Sequence, residues 1–525
     1  MQLAPVLFVL LIRTLGVYAG RHYASEYAYT APNVSSTYPA STYCCGALEA
    51  AGFGSRVEYA GEERYEASID SYWSNLEHLH PWCLIQPLTT DEVSKIVATL
   101  VTASESQECR FAVRSGGHTT WAGAANIDDG VTIDLSYMNS TTFHAENSTA
   151  AIQVGARWES VYATLDALNV STPGGRCNKP GVGGLVLGSG LSYFNARKGF
   201  VCDSVANFEV VLANGDIVNA NSQHNRDLFQ VLKGGSNNFG VVTRVDMEVF
   251  DNHGELWGGL IQYPSSTMSQ HAKAFTHFTD SIESDQNAST IMFTSFNSED
   301  AGDVAIFDGH VYTKPVARPP IYDEYYAIPG KIFDTTRITN MSDLVAEVPI
   351  ENGWRQLMMT CTFQNDEQVL SKAMELFTLT ARKLNGTSGK WNFGNQYHPV
   401  PKVYTQHSIE RGGNVLGLER ASSNLVIMLT LVQWDEAAND ARFIEANGRL
   451  IDDVVAYSRS VDKANEWLYL NYAWRTQDVL ASYGPENVAR MRTASAKYDP
   501  AGVFQRLVPG GFKLPPLRSP SDVGR

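Results

Sequence analysis

Two glycine-rich turns constrain this chain more than any other feature. The first, Arg114-Ser115-Gly116-Gly117-His118, follows directly on a short apolar run, Phe111 to Val113. The second, Gly181-Val182-Gly183-Gly184, lies just downstream of Cys177-Asn178-Lys179-Pro180. Glycine lets backbone approach a ligand closely, and successive free amides form a concavity for an anion. Arg114 to Gly117 and Gly181 to Gly184 are therefore expected to offer amides to a diphosphate. A lone histidine after two glycines is most often a loop residue bonded to backbone, and glycine clusters mark turns. The ligand reading thus needs both stretches at one site.

Other phosphate and metal signatures are missing. Val186 stands where the third glycine of Gly-X-Gly-X-X-Gly belongs, which disfavours a nicotinamide-binding Rossmann domain. There is no Gly-X-X-X-X-Gly-Lys-Ser/Thr, no His-Glu-X-X-His and no Cys-X-X-Cys, so no metal site is expected. Ser189 has Leu187 where a nucleophile elbow needs glycine. What survives is an organic redox cofactor carrying a diphosphate.

The chain has 525 residues, 44% of them hydrophobic, enough for more than one domain and a large core. Its formal net charge of −16 opposes nucleic acid and anionic lipid as partners. Leu3 to Ile12 is too short to span a bilayer, and Val17-Tyr18-Ala19 supplies a small-residue cleavage pattern. Residues 1–19 therefore read as a secretory signal, although Arg13 follows the apolar run instead of preceding it. Glycosylation acceptors stand at Asn33, Asn139, Asn147, Asn169, Asn287, Asn340 and Asn385. Seven cysteines leave an odd thiol in an oxidising compartment. If Cys177 is spent on a cofactor, the other six suffice for up to three disulfides; otherwise Cys177 is a disulfide half, with Cys202 as partner.

Along the chain the pattern is α+β. Residues 20–78 form an N-terminal lead-in, 79–253 a first domain, 254–464 a second, 465–514 a C-terminal segment and 515–525 a tail. Thr90-Asp91-Glu92 caps a helix over Val93 to Val101, and Trp158, Val161, Leu165 and Leu168 share one helical face. Asn214-Gly215 marks a hairpin, and Val241 to Val249 alternates as a half-buried strand. Glu367 to Leu384 reads as a helix and Leu425 to Val432 as a strand. Trp467 to Tyr472 is strand-like, and Pro485 opens a helix that ends at Tyr498 before Asp499-Pro500.

Ordered motifs then carry a resemblance over residues 80 to 514. They are Phe111 to His118, Gly155-Ala-Arg-Trp158, Gly183 to Gly190, Asn207 to Gly215, Asp227-Leu-Phe229, Gly234 to Thr243, Asn471-Tyr-Ala473 and Tyr498 to Gln505. The chain resembles the berberine-bridge-enzyme-like branch of the flavoproteins typified by vanillyl alcohol oxidase, and more narrowly secreted fungal FAD-linked oxidoreductases. The resemblance implies a two-part FAD-binding domain of the p-cresol methylhydroxylase type over 79–253. It also implies an α+β substrate domain with an antiparallel sheet and a C-terminal segment that returns to the FAD domain.

Residue by residue, it implies that His118 bonds to the flavin 8α-methyl and Cys177 to C6. Arg114, Ser115, Gly116, Gly117, Val182, Gly183, Gly184, Gly188, Gly190, Asn238, Gly240 and Val242 would line the FAD. Asn471 and Tyr472 would return to its ring. Substrate would yield hydride to the flavin, and O2 would reoxidise it with release of hydrogen peroxide. Tyr469 or Tyr472 is the expected base, with Glu410 and Glu419 as weaker candidates. Pro180 stands where relatives with a second tether often carry Val or Leu, a side chain that tunes oxygen access. The expected protein is a secreted, glycosylated, monomeric FAD oxidase acting on a small secondary metabolite. An oxidative cyclase, a carbohydrate oxidase and a flavin-carrying binding protein without turnover are the alternatives.

Overall fold

A computed structural model describes residues 39–515 apart from 253, 300–302 and 349. The leader 1–19, the acceptor Asn33 and residues 516–525 lie outside the described residues.

The first sheet has the strand order Val57–Glu58, Cys83–Ile85, Val131–Asp134, Phe111–Arg114, the last three parallel. Parallel strands need a crossover connection, and helix Thr90–Ala103 carries the chain from Cys83–Ile85 to Phe111–Arg114, with Val131–Asp134 seated between them. Its Val93, Ile96, Val97 and Leu100 are buried on one face, at helical spacing. The cap lies one residue before the expected one: Thr89 accepts from the Glu92 amide at 3.3 Å.

The second sheet is antiparallel, in the order Thr141–His144, Thr149–Gln153, Val241–Glu248, Val205–Val211, Ile217–Asn221. Its last two strands are the hairpin, closed at Asn214-Gly215, where Gly215 takes φ +86°. Helix Trp158–Asp166 buries Trp158, Val161 and Leu165. Leu168 does not join them: it lies past the helix end and is exposed.

The described part of the lead-in packs onto the first sheet. Strand Val57–Glu58 pairs with Cys83–Ile85, and helix Pro39–Leu48 carries Cys44 and Cys45. These form disulfides Cys44–Cys109 and Cys45–Cys83. Cys177, Cys202 and Cys361 are free, so neither a third disulfide nor a Cys177–Cys202 pair forms among the described residues.

The third sheet takes its strands from residues 256–465 and is antiparallel throughout. Its long strands run Leu256–Pro264, Ala305–Tyr312, Ala288–Asn297, Trp391–Val400, Leu425–Trp434 and Arg355–Gln364. Helix Glu367–Leu384, capped by Asp366, packs Val369, Leu370, Ala373, Met374 and Phe377 into the core beside helix Asp440–Ser460. Since side chains alternate along a strand, the remaining face of the sheet is free to line a cavity.

Trp467 to Tyr472 is not a strand. Leu470–Tyr472 is a single 3-10 turn, closed by the Tyr472 amide on the Tyr469 carbonyl at 3.1 Å. Asn471 Nδ2 reaches the Leu185 carbonyl at 3.1 Å, so the segment bonds to the first domain and not to a neighbouring strand. Helix Pro485–Tyr498 follows, and its Tyr498 hydroxyl donates to Asp227 at 2.6 Å. Leu507 then accepts from the Phe111 amide at 2.8 Å.

The Cys44–Cys109 bridge spans 65 residues. Closing a loop of that size removes roughly 4 kcal/mol of denatured-state entropy in the chain-entropy treatment. Cys44→Ser with Cys109→Ser is expected to lower the unfolding free energy by about 2–4 kcal/mol, read from chemical denaturation; an unchanged midpoint would contradict this.

Candidate active site

The two glycine turns meet. A Cβ on Gly116 would lie 2.6 Å from Gly181 Cα, and one on Gly181 would lie 2.7 Å from Gly116 Cα. Ser115 Oγ fastens the crossing, donating to the Val154 carbonyl at 2.6 Å and accepting from the Gly183 amide at 3.2 Å. Gly117 takes φ +61° against the Tyr72 and Arg114 side chains, a conformation and a space that suit glycine.

Beside this crossing runs a cavity of about 380 Å³, bounded on its far side by the third sheet. Ser115, Gly116, Gly117, His118, Cys177, Gly183, Gly184, Gly240, Val242, Tyr469, Asn471 and Tyr472 all line it, as does Pro180. Arg114, Val182, Gly188, Gly190 and Asn238 do not. Arg114 ends its strand and faces the opposite way from Val113, which lines the cavity. Its guanidinium donates to Ser68 and Ser71 and lies 3.6 Å from Asp134. Val182 is a core side chain. Gly188 receives Asn471, and Gly190 (φ +79°) packs on Val201. Asn238 braces Gly235 and Phe512 through its amide nitrogen. The expected anion nest is also reduced: the Val182 and Gly183 amides donate to the carbonyls of Ala156 and Val154.

His118 stacks on Trp73, ring centroids 3.9 Å apart and planes within 15°. Its Nε2 is buried without a hydrogen-bond partner. Burial, then the positive charge of Arg157, pushes its pKa down to about 3, so the ring is neutral at any physiological pH. Cys177 follows a loop clamped by Tyr162 on the Gly175 carbonyl at 3.0 Å and by Tyr193 on the Arg176 carbonyl at 3.2 Å. Burial pushes its thiol up to about 11, against the pull of Arg176.

The residue that sequence reading missed is Arg176. Its Nη2 donates to the Tyr472 hydroxyl at 2.6 Å and its Nη1 to His398 Nδ1 at 3.1 Å. Among the described residues no carboxylate pairs with it, so this is a half-buried cation on the cavity wall whose partners are neutral. Burial raises the Tyr472 pKa, while the charge and hydrogen bond of Arg176 oppose the rise. Tyr469 packs edge-on against Tyr472 at 4.7 Å, accepts from Asn471 at 3.2 Å and is also pushed up by burial. Of the two expected bases, Tyr472 is therefore the one held by a cation. His398, accepting at Nδ1, is held neutral by burial and by Arg176. Glu410 and Glu419 are exposed and outside the cavity. Glu347 lines it but is engaged by Arg337 at 3.2 Å.

The third sheet closes the cavity with Leu260, Ile291, Phe293, Val311, Met358, Leu429 and Leu431. Gln396 is a polar exception. A wall free of side chains, a neutral imidazole with an unpartnered nitrogen and an unpaired thiol fit an elongated cofactor next to an apolar chamber.

Fold and cavity together define a FAD-dependent oxidoreductase. A family model described as FAD binding domain matches residues 81–221. The chain is 42% identical over 477 residues to the FAD-dependent monooxygenase sdcF of Emericella nidulans, covering 90% of this chain and 98% of that protein. It is 36% identical over 475 residues to the FAD-dependent monooxygenase drtC of Aspergillus calidoustus, covering 90% of each. Among solved structures, 6-hydroxy-D-nicotine oxidase from Arthrobacter nicotinovorans superposes with a TM-score of 0.72 at 19% identity, covering 88% of this chain and 97% of that one. Xylooligosaccharide oxidase from Myceliophthora thermophila gives 0.72 at 18% identity, covering 91% and 100%. The chain belongs to the same family of FAD-dependent oxidoreductases as these fungal relatives, and its fold is that of the berberine-bridge-enzyme-like flavoproteins, with a FAD-binding domain of the p-cresol methylhydroxylase type.

With Tyr472 as base, removing the Arg176 charge raises its pKa further, because the opposing effect is lost. Arg176→Gln is expected to move the rising limb of the pH–rate profile for flavin reduction to higher pH by about 1 unit or more, and Arg176→Lys by less. Identical profiles would exclude this arrangement.

Proposed function

We propose that the protein is a secreted, N-glycosylated FAD-dependent oxidase of an apolar small molecule, a secondary metabolite, with FAD attached through His118 and also through Cys177. The observation that carries this reading is the convergence of His118, Cys177 and the Arg176–Tyr472 pair on one apolar chamber.

FAD, when bound, supplies a hydride acceptor that can return its electrons to O2. The chain's residues do the rest. The sheet wall from Leu260 to Leu431 excludes water and orients an apolar substrate. Tyr472 Oη takes the proton of a substrate O–H or N–H, with Arg176 fixing that oxygen. His118 would hold the flavin through a C–N bond in place of a ring-methyl C–H and the imidazole N–H, and Cys177 through a C–S bond in place of a ring C–H and the thiol S–H, with dioxygen taking up each pair of hydrogens as hydrogen peroxide. The neutral state of His118 suits this role, since a protonated ring has no free nitrogen to donate.

Apolar walls favour a metabolite over a sugar, and an oxidative cyclisation would use the same base. Secretion is supported by the two disulfides and by the exposure of Asn139, Asn147, Asn169, Asn340 and Asn385. The names of sdcF and drtC favour a second reading, monooxygenation.

A metabolite screen under 18O2 separates these readings. The oxidase is expected to release one peroxide per product and leave the product unlabelled. Label in the product would favour the monooxygenase, and a yellow protein that no metabolite bleaches anaerobically would favour a binding protein.

A further inference from the structure

We propose that Trp73 is a positioning residue for flavin attachment, holding the His118 ring in the plane from which it joins the cofactor. The proposal rests on the His118 attachment proposed above.

Trp73 lies in the lead-in, just after helix Glu63–Asp70, where sequence reading placed no site residue. The residue is 4% exposed, and its indole covers one face of the imidazole in a near-parallel stack at 3.9 Å. The terminal torsion of a histidine is broad and roughly two-fold, so something outside the ring must choose its plane. At Nε2 no hydrogen bond does so. Beside a hydrogen bond of the ring to its own main chain, the stack on Trp73 is the contact that does.

The main chain of Trp73, and not its indole, whose Nε1 is buried without a partner, is held from two sides. Its amide donates to the Gly117 carbonyl at 3.0 Å, which ties it to the residue before His118. Its carbonyl accepts from Gln356 Nε2 at 2.8 Å. Gln356 belongs to strand Arg355–Gln364 of the third sheet, and its Oε1 accepts from Gln433 at 2.9 Å. Ser74 and Asn75 continue the grip, through the Gln356 amide on Ser74 Oγ at 3.2 Å and the Asn75 amide on the Trp354 carbonyl at 2.9 Å. The backbone that carries the ring over His118 is thus tied to both domains, and attachment depends on their docking. The same face keeps water off the imidazole, in keeping with its neutral state.

The test uses full-length holoprotein in a Cys177→Ser background, where His118 is the sole point of attachment. Flavin remaining with the polypeptide after acid precipitation is compared with total flavin before it. Trp73→Leu and Trp73→Met fill the space without a flat face. Each is expected to retain total flavin but to lose at least half of the acid-stable fraction, and Trp73→Phe is expected to restore most of it. Melting temperature and total flavin separate this from collapse, since an unfolded protein loses both. Acid-stable fractions equal to the parent's in the Leu and Met variants would overturn the positioning role while leaving the attachment intact. Complete release of flavin from the Cys177→Ser parent would overturn the attachment itself.

Discussion

At Gly116 and Gly181 two backbone segments pass so closely that neither tolerates a side chain. One segment leaves the parallel sheet after Phe111–Arg114, and the other leads into the short helix Val182–Leu187. Their crossing joins the first sheet to the second, with Ser115 Oγ as the fastening. His118 lies two residues beyond one strand of the crossing and Cys177 four residues before the other. The approach therefore delivers an imidazole and a thiol to the same cavity without any further device.

The second constraint is electrostatic. Arg176 is half-buried beside Tyr472, His398 and Tyr193, with no carboxylate partner among the described residues. A desolvated cation is costly unless hydrogen bonds or an anion offset it. Here the Tyr472 phenol and the neutral His398 supply hydrogen-bonding partners, and an ionised Tyr472 would supply the anion. The same cost that makes Arg176 unfavourable in isolation makes it effective at easing deprotonation of the phenol it touches. This links the packing of the 174–177 loop on Trp158 and Tyr162 to the proposed chemistry of the site.

Much of the framework was legible in sequence because local signals and tertiary packing agree. Glu367–Leu384 has the expected bounds because Asp366 caps it and apolar residues recur at helical spacing. Pro485–Tyr498 does as well, with proline at its first turn and Asp499-Pro500 after it. Trp467 to Tyr472 misled because aromatic composition favours strands, while Asn471 found carbonyl partners in the first domain. Arg114 was misplaced because neighbours on a strand face opposite ways, so the residue beside a ligand turn points away from it. Arg176 and Trp73 carry no motif. Arg176 is 296 residues from Tyr472 in sequence and 222 from His398, and only the fold brings them together.

The most direct test is the mass of the proteolytic peptide that carries His118, taken from freshly isolated, yellow protein. The expected mass is that of the peptide plus FAD less two hydrogens, shared with the Cys177 peptide where both bonds form. A His118 peptide of unmodified mass from protein fully loaded with flavin would contradict the account.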